Sequence, residues 1–379
     1  MINQERLKNR FCQLVEIDSV SRREKEVATH IAGIFKALGG QVCYDNAAAL
    51  VGGNCSNMVV KFAGTCNADP VFLGAHMDTV EPGEGIRVIY KDGVFRSDGT
   101  TILGADDKSA IAIIIEIMET ILENGLDYPP VELIFTVCEE IGLLGAKHFD
   151  YSLMDARFGY ILDSTDTQGI VTRAPAADRI DIRVTGRAAH AGARPEAGVD
   201  AISAASKAVA RLALGRIDPE TTCNLGTIQG GMATNIVPES VEIRGEARSH
   251  DPEKLDQVTR TICRTFEQTM AQMDSGQGLP KVEITVERDF SNTLIPEGHP
   301  VVELARRAAK SLGRSMESKT IGGGADANIF FGKGIMTGVL GTGMTDVHTL
   351  KESVRISDMM NAAELVLRIL ELHAGGDDA

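Results

Sequence analysis

Tryptophan is absent, and 12 Phe with 5 Tyr supply every aromatic ring in 379 residues. So thin a supply leaves few platforms on which single-stranded bases could stack. Positive charge is short as well: 38 Lys plus Arg against 53 Asp plus Glu leave a net charge of −15. Phosphates require a basic footprint, so nucleic acid and anionic membrane are set aside as main partners. No apolar run is long. The most apolar stretch, Ile111 to Met118, is broken by Glu116 and falls far short of the roughly 20 residues that cross a bilayer. The cysteines at 12, 43, 55, 66, 138, 223 and 263 are odd in number, scattered and without a CxxC pair. That pattern suits free thiols in a reducing compartment better than a disulfide framework. Met1-Ile2-Asn3-Gln4-Glu5-Arg6 opens straight into a polar helical pattern with no apolar signal core, so a cytoplasmic location is expected.

What is present describes an ordinary globular chain, 43% hydrophobic and 24% charged, long enough for two or three domains. The first 40 residues read as two helices. Leu7, Phe11, Leu14 and Val15 recur at helical spacing, Ser21-Arg22-Arg23-Glu24 reads as a capping box for the second helix, and Gly39-Gly40 stops it. Short apolar strands then alternate with helices: a strand at 71–75, a helix over 107–124, and strands at 131–137 and 160–162. Near-continuous apolar strands separated by helices indicate an α/β layer with a buried, largely parallel central sheet.

Around Pro175 the texture changes. Residues 179–186 alternate with period two, placing Ile180, Ile182 and Val184 on one face. A helix at 200–214, strands at 223–231 and 240–249, a helix at 252–273 and a strand at 281–290 follow. The order βαββαβ is that of a ferredoxin-like unit. Residues 176–290 are therefore expected to form an inserted domain, and 1–175 with 291–379 a discontinuous one. After the linker 296–300 come a helix at 301–312, a strand at 337–340 and a closing helix at 356–373. Gly375-Gly376-Asp377-Asp378-Ala379 reads as a loose tail.

Acidic residues and histidines gather just past the strand ends. His76 and Asp78 follow the strand at 71–75, Glu139 and Glu140 the strand at 131–137, Asp163 the strand at 160–162, and His348 the strand at 337–340. Asp106 and Asp107 lie in a Gly-containing loop that opens a helix. Ligands of open α/β sheets bind at the carboxyl ends of strands, so these groups are expected to converge. Converging carboxylates require a compensating cation. Singly, each residue has an ordinary explanation: a core histidine, or acids favoured by a helix dipole. Jointly they suit a metal. Two His and three carboxylates fit zinc, with cobalt or manganese as alternatives, and five ligands suit two ions about 3.5–4 Å apart around a bridging carboxylate and hydroxide.

The run Gly74-Ala75-His76-Met77-Asp78-Thr79-Val80-Glu81-Pro82-Gly83 resembles the H-x-D-x-V-x-P-G signature of the M20 metallopeptidases. Ser97 to Lys108 is similar to the metal-bridging segment of the peptidase T branch, and Cys138-Glu139-Glu140-Ile141-Gly142 to its E-E-x-G segment. Further likeness lies at Thr234-Asn235-Ile236-Val237-Pro238, at Arg248-Ser249-His250-Asp251 and at Gly322-Gly323-Gly324-Ala325-Asp326-Ala327-Asn328, so it spans the chain.

The resemblance implies a zinc-peptidase-like catalytic domain holding two Zn²⁺ per chain, with an inserted lid and dimerisation domain. Its metal ligands would be His76, Asp106 as the bridge, Glu140, Asp163 and His348. Asp78 would orient His76, and Glu139 would be the general base. In the inserted domain His190, Asn235 and Arg248 would meet substrate, Arg248 by clamping a terminal carboxylate and His190 by reaching across a homodimer. The implied activity is aminopeptidase or tripeptidase cleavage of short peptides; an N-acyl-amino-acid deacylase, a carboxypeptidase or a non-catalytic binding module are the alternatives. The Gly-rich runs at 322–324 and 338–343 match no nucleotide-binding motif and are expected to let backbone approach the metals.

Overall fold

The structure, a computed structural model, describes residues 1–274 and 276–375. The chain folds as two compact units. Met1–Arg173, Leu294–Ile321 and the chain from Ala325 onward form the first; Ala174–Thr293 with Gly322–Gly324 form the second. Of the tail expected from Gly375 on, residues 376–379 lie outside the described residues.

At the centre of the first unit four strands run parallel in the order Val131–Thr136, Val71–His76, Phe158–Ser164, Met336–Gly341. Every residue of the first two is buried, as unbroken apolar runs require when both sheet faces are covered. Met58–Phe62 and Gln41–Tyr44 extend one edge antiparallel, and Gly169–Ala174 lies antiparallel to Met336–Gly341. Helices Gln4–Val15, Ala105–Asn124, Pro300–Ser311 and Ile356–His373 contribute Leu7, Phe11, Ile111, Ile115, Val301 and Val366 to the larger core. A smaller cluster includes Phe72, Ile161 and Phe330, with the rings of Phe72 and Phe330 stacked 5.4 Å apart.

Two local features differ from expectation. The helix Lys25–Ala37 has no side-chain cap, because Ser21 and Glu24 form hydrogen bonds elsewhere. A separate three-stranded antiparallel sheet joins Val88–Lys91, Val94–Ser97 and Ser353–Arg355. Its hairpin turns at Asp92-Gly93, both at positive φ (51° and 78°), a pairing that strongly favours a tight hairpin.

The second unit is an antiparallel sheet in the order Gly215–Asp218, Thr221–Gly230, Ser240–Ser249, Ala176–Thr185, Lys281–Phe290. Ile180, Ile182, Val184, Val241 and Ile243 share a core with Ala204, Ala208, Ile262 and Phe266 of helices Ala201–Val209 and Pro252–Met273. The first helix ends five residues earlier than its pattern suggests. The chain then turns through Gly215 (φ 82°) into the additional edge strand.

Among the described residues no helix is long and apolar enough to cross a membrane. All seven cysteines are free. Glu116, the break in the apolar run, is wholly buried and accepts from the Asn3 N–H and from Arg6 Nε at 2.6 Å, fastening the first helix to the central one. Its removal takes a buried acceptor from the Asn3 N–H and from Arg6, which keeps Glu119 and Glu123 as partners. Glu116→Ala should therefore lower stability by about 1–3 kcal/mol in chemical denaturation; unchanged stability would show that the remaining partners and solvent replace it.

Candidate metal centre

Because Val71–His76, Val131–Thr136 and Phe158–Ser164 run parallel and adjacent, their carboxyl ends share one side of the sheet. His76 closes the first strand, Glu139 and Glu140 lie in the turn after the second, and Asp163 is near the end of the third. Asp106 and Asp107 open the helix Ala105–Asn124 with non-helical dihedrals, so their carboxylates are not committed to the helix surface. His348 arrives on the loop beyond Met336–Gly341, at φ 62°.

Asp106 stands between the two histidines. Its Oδ1 lies 3.0 Å from His76 Nε2 and its Oδ2 3.2 Å from His348 Nε2, which is also 3.0 Å from Glu140 Oε2. Donor atoms of His76, Asp106 and Glu140 fall within 4.8 Å of one another, and so do those of Asp106, Asp107 and Asp163. Glu139 belongs to neither group. Two donors bound to one zinc at about 2.0–2.2 Å are separated by about 3.0–3.6 Å, so these spacings need little adjustment around an ion. The buried oxygens Glu140 Oε1 and Asp107 Oδ1 have no hydrogen-bond partner. Mixed imidazole and carboxylate donors, with orphaned anionic oxygens among them, fit zinc or a similar divalent cation.

The electrostatics point the same way. Burial, followed by repulsion from neighbouring carboxylates, lifts Asp107, Glu139 and Asp163 well above the usual carboxylate range. Burial opposes a charged His76, but its hydrogen bonds to Asp106 and Asp78 outweigh that and hold it well above 6.5. Hydrogen bonds to Asp106 and Glu140 raise His348 to about 10.

Asp78 reaches His76 twice: Nδ1 is 2.9 Å from its main-chain oxygen and 3.5 Å from its carboxylate. The same carboxylate organises the Glu139-Glu140 turn. Four consecutive N–H groups donate to buried side chains: Val137 to Asn57 Oδ1 (3.0 Å), Cys138 to Glu24 Oε1 (3.0 Å), Glu139 to Asp78 Oδ1 (2.8 Å) and Glu140 to Asp78 Oδ2 (3.2 Å). Ser21 Oγ also donates to Asp78 Oδ2 at 2.6 Å. These bonds hold Cys138 at φ 55°, a conformation costly for a side-chain-bearing residue.

Glu24, Asn57 and Glu352 escape a reading based on strand ends. Ser21 and Glu24 carry a signal of the right residue types, which resembles a helix cap. Asp326 lies within a recognised motif but is assigned no role by it. Its Oδ2 accepts from Thr136 Oγ1 at 2.5 Å, its Oδ1 has no partner, and burial pushes its pKa up to about 6. It lines, with His76, Glu139, Asp163 and Phe330, a cavity of about 10 Å³.

The remaining candidates belong to the second unit. His190 and Asn235 are exposed and lie on paired loops: His190 bridges to Ile236, and the Ala191 N–H donates to Asn235 O at 2.9 Å. The Arg248 guanidinium donates to both Glu246 oxygens at 3.1 and 3.0 Å and lies 5.9 Å from the Phe290 ring centre. Two glycines of these runs, Gly324 and Gly341, pack closely against protein, whereas Gly322 and Gly323 have open space around them. A Cβ at Gly324 would stand 2.4 Å from the Phe290 ring, and one at Gly341 2.3 Å from the Asp166 carbonyl oxygen.

Glu24→Ala would leave the buried Cys138 N–H without its acceptor. Each such loss costs about 1–3 kcal/mol, so the variant should lose at least about 1 kcal/mol in denaturation of metal-free protein. Unchanged stability would mean that another acceptor replaces the carboxylate.

Residues 72–372 match the family described as peptidase family M20/M25/M40. The Bacillus subtilis (strain 168) protein YqjE, itself uncharacterised, is 39% identical over 98% of this chain and 99% of its own length. The crystal structure of aminopeptidase PepT from Bacillus cereus ATCC 10987 is similar at 40% identity and TM-score 0.90, covering 98% of this chain and 99% of that one. A tripeptidase structure from Staphylococcus aureus subsp. aureus Mu50 is similar at 38% identity and TM-score 0.94, covering 99% and 100%. The mixed α/β architecture, the strand-end cluster and these likenesses agree, and the chain belongs to peptidase family M20/M25/M40.

Proposed function

We propose that this protein is a cytoplasmic, homodimeric, dinuclear metal exopeptidase that cleaves short peptides from their amino end. Metal-dependent hydrolysis of peptide bonds comes with the family. The observation that carries the finer reading is Asp106, whose two oxygens each face a different histidine, as a carboxylate shared by two ions would. His76 and Asp163 would complete one side and His348 and Glu140 the other, with Zn²⁺ favoured and Co²⁺ or Mn²⁺ as alternatives. When bound, the ions supply Lewis acidity at the scissile carbonyl and the attacking water.

Glu139 is the general base. It is buried beside the proposed ligands, and its N–H is fixed by Asp78. Its carboxylate accepts the proton of the attacking water and returns it to the leaving amine. In the second unit, proposed as lid and dimerisation domain, the edge strand Lys281–Phe290 is paired on one side only and is available to another chain. His190 would stabilise the oxyanion from the partner subunit, with Asn235 and Arg248 holding the peptide. The aminopeptidase and tripeptidase named among the similar structures favour an amino-terminal reading over deacylase or carboxypeptidase action. Seven free thiols support the cytoplasmic location.

The deciding experiment is hydrolysis of di- and tripeptides with free or blocked termini by metal-quantified protein. Cleavage of amino-blocked substrates alone would sink the aminopeptidase assignment. Glu139→Gln should lower kcat about 10²–10⁴-fold while keeping the wild-type metal content; near-normal turnover would remove Glu139 as base. Mixing inactive His190→Ala and Glu139→Gln subunits should restore activity, since one site of each mixed dimer then has both groups. No recovery after proven subunit exchange would confine His190 to its own chain.

Metal uptake should also release protons. Hydrogen bonds to Asp106 and Glu140 raise His348 to about 10, so it holds a proton at pH 7 in the metal-free cluster, and ligation needs the neutral imidazole; the upward shifts of the proposed ligands His76 and Asp163 act in the same direction. Zinc affinity should therefore rise between about pH 6 and 8. Titration calorimetry in buffers of different ionisation enthalpy measures the release, and buffer-independent heats would contradict it.

A further inference from the structure

We infer that Glu352 is a positioning residue for metal capture: it fastens the loop carrying His348 to the turn carrying Asp106, so that two ligand-bearing segments present their donors as one unit. The inference rests on the dinuclear reading above and adds to it a residue outside the donor set.

Glu352 is 2% exposed. Its Oε2 accepts from the Leu103 N–H at 2.7 Å and the Gly104 N–H at 2.8 Å, and its Oε1 from the Asp106 N–H at 3.0 Å. With its oxygens engaged by backbone, it is not itself a ligand. The turn at 103–106 needs such an anchor. Gly104 is left-handed (φ 75°), and Asp106 and Asp107 leave the helical region, so the following helix does not fix the bridging carboxylate. Yet both Asp106 oxygens must face their histidines together.

The other side of the tie is equally defined. Thr345 and Ser353 exchange backbone hydrogen bonds of 2.8 and 3.0 Å, closing the loop 345–353 at its base, and the Glu352 N–H donates to Thr349 O at 3.1 Å. Ser353 continues into the small sheet opposite Arg96. His348 thus rides on a closed loop whose base sends one carboxylate into the Asp106 turn. Outer partners of this kind change metal affinity about 10–100-fold when removed.

The test uses full-length wild type, Glu352→Ala, Glu352→Gln and, as a control for simple destabilisation, Glu116→Ala. Zinc affinity is read by competition with a chromophoric chelator, and ligand geometry by the visible spectrum of the cobalt(II)-loaded protein. Glu352→Ala should bind zinc about 10–100-fold more weakly, with an altered cobalt spectrum. Glu352→Gln, which keeps one acceptor oxygen, should fall between it and wild type. Glu116→Ala should lose stability with its spectrum and affinity unchanged. Wild-type affinity and spectrum in both Glu352 variants would overturn the inference, as would the same losses in Glu116→Ala. Should Glu352→Ala fail to fold, Glu352→Gln decides alone. A wild-type protein that takes up no zinc would instead overturn the dinuclear reading itself.

Discussion

Everything at the strand ends depends on how negative charge is tolerated out of water. A carboxylate buried alone costs several kcal/mol even after relaxation, and this centre contains many. The chain meets that cost in two ways. Carboxylates that are not proposed ligands, such as Asp78, Glu24 and Glu352, take backbone N–H groups, which supply partial positive charge at fixed positions. Among the proposed ligands, Glu140 keeps its Oε1 without a protein partner and leaves it for a cation. Asp78 and Glu352 are satisfied on both oxygens by the fold; Glu24 is satisfied at Oε1 and not at Oε2.

That division explains what could be read in advance. The parallel sheet was legible because continuous apolar runs such as 71–76 leave little choice, and His76, Glu139, Glu140 and Asp163 were legible because they lie directly beyond such runs. The alternating pattern of 179–186 announced a one-sided sheet, and helices at its apolar positions followed. Glu24 and Glu352 were not legible, because their function is to accept from N–H groups more than a hundred residues away, and an acceptor carries no local pattern. Ser21 and Glu24 show this well: the residues that would close a helix cap are present, but their hydrogen bonds go to Asp78 and Cys138.

The small hairpin sheet was missed for a different reason. Its strands are four residues long or shorter, and the first is largely exposed, so hydrophobic periodicity has too short a run to register; the signal lay in the Asp92-Gly93 turn. Among the glycines, close approach is visible at Gly324 and Gly341, which make room for an aromatic ring and a neighbouring carbonyl.

The proposed ligands run from His76 to His348, with the second unit encoded between them. A ribosome therefore finishes the second unit before the last donor exists. Through most of synthesis the emerging polypeptide holds an incomplete set: it can gather an ion weakly, but it cannot form the shared-carboxylate pair. On the proposed ligand set, the connectivity thus acts as a timing device, keeping hydrolytic competence from a nascent chain and from any product that terminates before His348.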